Sequence, residues 1–250
     1  MRRATALAAL LPLVLLTGCG GSSSAPASPP AGRSSAPSAS SSSAQVPPTK
    51  AAAAAAAAAI NLTAAEVGAG YTSAPSKKNP ADDKDNAALA ACIGSTPPSS
   101  AVVDVPSPDF TIGSGLQMRQ VSSDVTVVPT NAQARSDLAA YHAAKATACL
   151  KTFIAKLLAG AAGPSVTFGP PLVTTVETPA PGADGSFGYD VKLTAKATGI
   201  TLSFDVLLQA VLVKRSEVAL TLLSIGQPFP VPERTRLLQA LAAKASTHAV

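Results

Sequence analysis

Alternating apolar and polar residues predict several strands in the second half of the chain. Between Phe187 and Thr198 the alternation is regular, as expected for an antiparallel strand with one face in solvent. The segment 200–213 begins in the same way, but from Val206 to Val213 it is apolar on both sides apart from Gln209. Such a strand should be covered on both faces. The other predicted strand segments are 110–128, 165–177 and 217–225.

Helical spacing appears between these strands. Thr130 and Gln133 have the spacing of a capping box, and the following segment 132–159 contains neither Pro nor Gly, which predicts one long helix. In its second half, Cys149, Phe153 and Leu157 recur every four residues and indicate a buried face. The other predicted helices are a short one that opens at Thr63 and Glu66, a short one over 86–93, and a last one over 233–246.

This order of elements predicts an α+β fold with a single antiparallel sheet of about five to six strands, flanked by helices and braced by one disulfide. Helices on both sides of the sheet would explain the strand that is apolar on both faces. The folded region, taken as 60–250, has the length of a single domain.

The amino terminus has the pattern of an export signal. Arg2 and Arg3 precede an apolar run from Ala4 to Leu16, which is too short to span a membrane. Leu16-Thr17-Gly18-Cys19 resembles the lipobox of bacterial lipoproteins, in which the cysteine is acylated. We therefore predict a signal peptide over 1–18, lipidation at Cys19 and a lipid-anchored protein on the extracytoplasmic face of the cell membrane. The alternative is ordinary secretory cleavage, with Cys19 as a spare thiol.

Ser, Ala, Pro and Gly dominate the next forty residues. This composition buries too little apolar surface to offset the entropy of ordering, so 19–59 is predicted to be a disordered tether. The run Ala51–Ala59 could be helical in part, but alanine alone offers no amphipathic face.

Cys92 and Cys149 form an even pair in a chain that is predicted to leave the cytoplasm, where disulfides persist. We predict that they are bonded, with a stabilisation of about 4 kcal/mol in the chain-entropy model. The competing hypothesis is a catalytic Cys149 assisted by His142, since seven residues is close to two helical turns.

The charged residues exclude some functions. Removal of 1–18 takes away Arg2 and Arg3 and leaves a thinly spread net charge of +3, and the chain has no Trp, so nucleic-acid binding is not expected. We find no zinc, nucleophile-elbow or phosphate-loop motif, and we predict no cofactor, no metal site and no catalytic residues. Arg119 and Arg215 could hold an anionic ligand, although each is more often a solvated strand residue.

Three short segments and the order of elements resemble a known group of domains. The segments are 62–71 (LTAAEVGAGY), 90–94 (AACIG) and 120–125 (QVSSDV). They resemble actinobacterial, mycobacterial-type envelope lipoproteins with a PsbP-like domain or a kinase extracellular sensor domain. The resemblance implies a curved antiparallel sheet with a cleft and a binding or sensing role. Such kinase sensors carry two disulfides, whereas this chain has cysteines for only one.

Three functional hypotheses follow. The first is a non-catalytic binding or sensor module whose groove takes a small molecule, a lipid or an envelope protein. The second is a carrier of envelope lipids or glycolipids, if aliphatic segments such as Val206–Val213 line a cavity. The third is a hydrolytic enzyme of an unrecognised kind, which needs titratable groups converging in one pocket. The sequence does not identify the ligand-binding residues, because Asp104, Asp109, Asp124, Asp190 and Asp205 show no convincing pairing in it.

Overall fold

A computed structural model describes residues 46–250 apart from 77–79, 163–164 and 198. The predicted signal peptide, Cys19 and the tether up to residue 45 lie outside the described residues. No helix in the described ranges is both long enough and apolar enough to cross a membrane.

The described part of the chain contains six α-helices, nine strands and two 3₁₀ helices (Pro98–Ser100 and Gly115–Gln117). The helices are α1 (Lys50–Ile60), α2 (Ala64–Val67), α3 (Pro80–Ile93), α4 (Asn131–His142), α5 (Ala144–Ala161) and α6 (Val231–His248). The strands are β1 (Thr72–Ala74), β2 (Val103–Pro106), β3 (Asp109–Ile112), β4 (Arg119–Val127), β5 (Val166–Phe168), β6 (Leu172–Thr175), β7 (Gly185–Ala197), β8 (Ile200–Val213) and β9 (Ser216–Ile225).

The strands form one antiparallel sheet in the order β1-β3-β4-β9-β8-β7-β5. The long strands β7, β8 and β9 are a meander at its centre. β2 pairs with the carboxyl-terminal half of β4, whose other half pairs with β3. On the opposite side of the sheet, β5 and β6 both pair with β7. Two short strands therefore border β4, and two border β7. This arrangement confirms the predicted α+β class with a single sheet.

Helices cover both faces of this sheet. α1 and α6 pack on one face, over a core that includes Val125, Leu207 and Leu220. The other face carries α3, α4 and α5, over a second core that includes Tyr189 and Val206. Because Val206 and Leu207 are adjacent in β8 and lie in different cores, the predicted burial of this strand on both faces is confirmed.

The sheet has nine strands where five to six were predicted. The segment 110–128 divides into β3 and β4, and 165–177 divides into β5 and β6. At Gly113, between β3 and β4, φ is +76° and a side-chain Cβ would lie 2.4 Å from the carbonyl oxygen of Gln117, so the turn requires glycine. Strands of three or four residues are too short for alternation to reveal them, and pairing with longer neighbours creates them.

The predicted helix over 132–159 is two helices. Ala143 has extended backbone angles (φ −66°, ψ 142°) and separates α4 from α5. The last carbonyls of a helix lack donors within it, and here the hydroxyl of Tyr189 on β7 donates a hydrogen bond to the carbonyl of Tyr141. This hydrogen bond from the sheet thus stabilises the helix end before Ala143, where the sequence contains no Pro or Gly.

The alanine run is part of the folded domain. Within α1, Ala53, Ala57 and Ile60 are fully buried, and the helix packs against β2, β4 and α6. Thr49 caps it by accepting a hydrogen bond from the backbone N–H of Ala52 at 3.2 Å. The predicted tether therefore cannot extend to residue 59. Methyl side chains let a helix approach a sheet closely. Close packing of these methyl groups therefore stabilises α1, although its sequence has no amphipathic pattern.

The predicted disulfide is confirmed. Cys92 on α3 is bonded to Cys149 on α5, with their Cα atoms 5.8 Å apart. The bond ties together two helices that cover the same face of the sheet.

Candidate functional site

A cleft lies between the sheet and the helices α3, α4 and α5. Its floor is formed by β4, β9, β8 and β7, and its walls include Leu89 and Ile93 of α3, Leu138 of α4 and Leu150 of α5. The cleft encloses a cavity of about 140 Å³. For comparison, an apolar cavity of about 150 Å³ in another protein holds a benzene molecule.

One end of the cleft is aromatic and aliphatic. Tyr141 of α4 stacks on Phe187 of β7, with ring centroids 4.3 Å apart and ring planes 6° from parallel. Tyr189 lies next along β7, with its centroid 5.9 Å from that of Phe187. Leu208 of β8 continues this surface. This end suits the apolar part of a ligand.

Acidic side chains also line the cleft, and two of them lie close to Tyr141. Asp109 of β3, Asp124 of β4, Asp137 of α4 and Glu217 of β9 all line the cleft. In the sheet, Glu217 lies directly opposite Thr126. Four carboxyl groups from four elements therefore line one concave site.

Asp137 is anchored to the chain before β2. Its Oδ1 accepts hydrogen bonds from the backbone N–H of Thr96 at 2.6 Å and from the Thr96 hydroxyl at 2.7 Å. The side chain is buried. These bonds fix the position of the carboxylate beside Glu217.

Glu217 is the most perturbed acid of the cleft. Burial, and then the charge of Asp137, raise its pKa to about 8. Its Oε1 atom is sealed from solvent and has no hydrogen-bond partner among the described residues. Burial and the charge of Glu217 also raise the pKa of Tyr141, so that this phenol stays protonated. At neutral pH Glu217 is therefore mostly a neutral acid in the empty cleft.

A second, wholly apolar cavity of about 80 Å³ lies beside the cleft. Leu150, Leu208 and Leu223 line both cavities. Its remaining lining includes Ile154 and Leu157 of α5. The two cavities therefore adjoin at these three leucine side chains.

Several residues singled out in the sequence lie elsewhere. Cys149 is in a disulfide and His142 is exposed, so the hypothesis of a catalytic Cys149 with His142 is wrong. Arg119 forms an ion pair with Glu233, with Nη1 and Oε2 2.5 Å apart. Arg215 is buried and donates to the backbone carbonyls of Val46 and Pro129. Neither arginine lines the cleft.

Sequence reasoning missed Asp137, Glu217 and the aromatic pair as site residues. Of the five aspartates weighed from the sequence, Asp109 and Asp124 line the cleft, whereas Asp190 and Asp205 share Lys192 on the sheet. Asp104 of β2 is outside the cleft lining and accepts a hydrogen bond from the Thr126 hydroxyl at 3.0 Å. No sequence signal groups the cleft residues, because they come from separate elements. In the described ranges, no three His, Cys, Asp or Glu side chains are placed to hold one metal ion.

Comparisons with known proteins give little further guidance. No protein-family model matches the chain, and no curated protein matches it in sequence. Among solved structures, the extracellular domain of PknH from Mycobacterium tuberculosis matches with a TM-score of 0.43 and 12% identity, over 80% of this chain and 98% of that chain. We base no functional conclusion on a similarity of this size. The lipoprotein and PsbP-like parts of the predicted resemblance stay predictions.

Proposed function

We propose that this protein is a membrane-anchored extracytoplasmic lipoprotein whose folded domain is a non-catalytic binding or sensor-type module of the cell envelope. The observation that carries the proposal is the cleft between the sheet and α3, α4 and α5. It combines an apolar surface with a small set of polar groups, which is the usual composition of a ligand pocket. The membrane anchor rests on the pattern that ends at Cys19.

The architecture suits a preformed site. The floor consists of long paired strands, and the disulfide fixes α3 to α5 above it. A site built on paired strands and crosslinked helices loses little conformational freedom when a ligand enters.

Filling the cleft tests the binding proposal. Ala219 of β9 lines the cleft, so the side chain introduced by Ala219→Leu would occupy the cavity. We expect native mass spectrometry of the full-length protein, purified from the cells that produce it, to show a bound small molecule that Ala219→Leu loses. Ala243→Leu is the matched control, because Ala243 is exposed on α6 across the sheet. A ligand retained by Ala219→Leu, or no ligand in either protein, would contradict the proposal.

A lipid carrier is the second candidate, and the adjoining apolar cavity favours it. An acyl chain could continue past Leu150, Leu208 and Leu223 into the second space. The same mass spectra separate the two candidates, since a carrier should hold a heterogeneous set of lipid masses and a sensor one defined small molecule.

Hydrolytic activity is the third candidate, and the nearness of Asp137 to Glu217 favours it. Two carboxyl groups close together in one cleft, one of them with a raised pKa, suit acid and base catalysis. Glu217→Gln abolishes turnover if the domain is an enzyme. Our proposal instead predicts no turnover of envelope glycans or esters by the unmodified protein.

A further inference from the structure

The charged residues of the cleft have a single sign. Asp109, Asp124, Asp137 and Glu217 line it, and no Lys, Arg or His of the described residues does. The whole chain has the opposite balance, with a formal net charge of +5. The acidic character therefore belongs to the cleft and not to the surface in general.

Three of these acids have no cationic partner within the described part of the chain. Among the described residues, none of the ion pairs involves Asp109, Asp137 or Glu217. Oε1 of Glu217 also lacks a hydrogen-bond donor, although solvent cannot reach it. A buried carboxyl oxygen without a donor is costly, and a ligand that brings a donor to this point would relieve that cost.

The aromatic surface beside the acids is suited to the same kind of ligand. Phe187 contacts both Tyr141 and Tyr189, so three π systems lie within one end of the cleft. Ring faces attract ammonium groups, and the attraction grows where water is excluded. Carboxylates next to aromatic rings thus favour a cation that also carries an apolar group.

We propose that the ligand of the cleft is a small organic cation, with an ammonium group toward Asp137 and Glu217 and an apolar body against Tyr141 and Phe187. This inference rests on the proposed function, since it names the ligand class of the same cleft. The cavity of about 140 Å³ limits the enclosed body to roughly the size of one six-membered ring. Within the described part of the chain, no three acidic side chains are placed to share a metal ion.

A matched series of probes tests the charge requirement. Benzylamine, benzyl alcohol and benzoate share one ring and differ in the charge of the substituent. We expect isothermal titration calorimetry with the full-length protein at pH 8 to show benzylamine binding at least tenfold more tightly than benzyl alcohol, and no binding of benzoate. Ala219→Leu should abolish binding of benzylamine and benzyl alcohol alike, which places them in the cleft.

Two variants isolate the carboxylate. Glu217→Gln should weaken benzylamine by about tenfold and leave benzyl alcohol unchanged, because only the cation loses a charged partner. Glu177→Gln removes the same charge outside the cleft and should alter neither affinity. Retention of the preference for benzylamine in Glu217→Gln would overturn the assigned orientation.

The outcomes separate this inference from the proposed function. Equal binding of all three probes, or tighter binding of benzoate, overturns the cationic class while the cleft remains a binding site. Failure of all three to bind also counts against the cationic class, and the mass spectra of Ala219→Leu then decide whether the cleft binds anything.

Discussion

Glu217 shows how one residue acquires its properties from its surroundings. It is the second residue of β9, and in sequence it is an ordinary polar position next to the turn formed by Lys214 and Arg215. The pairing of β9 with β4 places it opposite Thr126, and α4 brings Asp137 to the same side. Burial in this position, and then the charge of Asp137, raise its pKa.

Replacing this residue tests the pKa. The folded state holds the Glu217 proton up to about pH 8, whereas the unfolded chain releases it near 4.5. The contribution of Glu217 to the free energy of unfolding is therefore complete below about pH 4.5 and is lost as the pH rises to 8. Over this range the free energy of unfolding falls by at most about 1.4 kcal/mol per pH unit. Glu217→Gln should remove this fall and be more stable than the unmodified protein at pH 8.

Urea unfolding from pH 5 to pH 9 measures the difference. Glu177→Gln serves as the control and should keep the slope of the unmodified protein, because its carboxyl lies outside the cleft. Parallel stability curves for Glu217→Gln and the unmodified protein would show that Glu217 titrates normally.

At the scale of elements, the agreement between the predicted and observed strands depends on the length of each strand. The segments 187–198, 200–213 and 217–225 match β7, β8 and β9 to within two residues at each end, because period-two alternation over many residues is unambiguous. The short strands β1 and β2 were not predicted, and the segment 165–177 was predicted as one strand where the structure has β5 and β6, since three or four residues hold too few alternations. The break at Ala143 was not predicted, because the hydrogen bond that stabilises it comes from the hydroxyl of Tyr189 on β7.

The helix α1 is the clearest case of an element that only packing explains. It has alanine on every side, yet Ala53 and Ala57 are fully buried while Ala58 is exposed. We expect Ala57→Leu to destabilise the domain by about 1–3 kcal/mol, because the added atoms have no space between the helix and the sheet.

The matched control for α1 is Ala58→Leu. It makes the same chemical change on the exposed side of the same helix and should alter the stability by about 0.5 kcal/mol or less. Chemical denaturation of both variants gives the comparison. Equal effects would mean that α1 is not packed on the domain in solution.

At the scale of the whole molecule, both faces of the sheet are covered, but they are used differently. α1 and α6 close one face into a core that includes Leu237 and Leu241. α3, α4 and α5 leave a cleft over the other face. The disulfide lies on the side of the cleft, where packing alone leaves space.

The proposed anchor is also a property of the whole molecule. Two or three acyl chains hold a protein stably on a bilayer, whereas one chain holds it only marginally. We expect Cys19→Ser to abolish palmitate labelling and to move the protein from the membrane fraction to the soluble one. Cys92→Ser is the control, since it removes a different cysteine and should leave labelling intact. Unchanged membrane association of Cys19→Ser would contradict the anchor.

The sequence by itself determined the class of fold, the central meander and the pairing of Cys92 with Cys149. These follow from patterns within a segment or from the number of cysteines, and neither needs the three-dimensional arrangement. Only the tertiary structure decided the burial of α1, the break at Ala143 and the composition of the cleft. Asp109, Asp137, Phe187 and Glu217 line one cleft because the sheet places β4 beside β9 and because α4 packs on β7 and β8. Such contacts depend on the order of strands and the position of helices, which local periodicity does not encode.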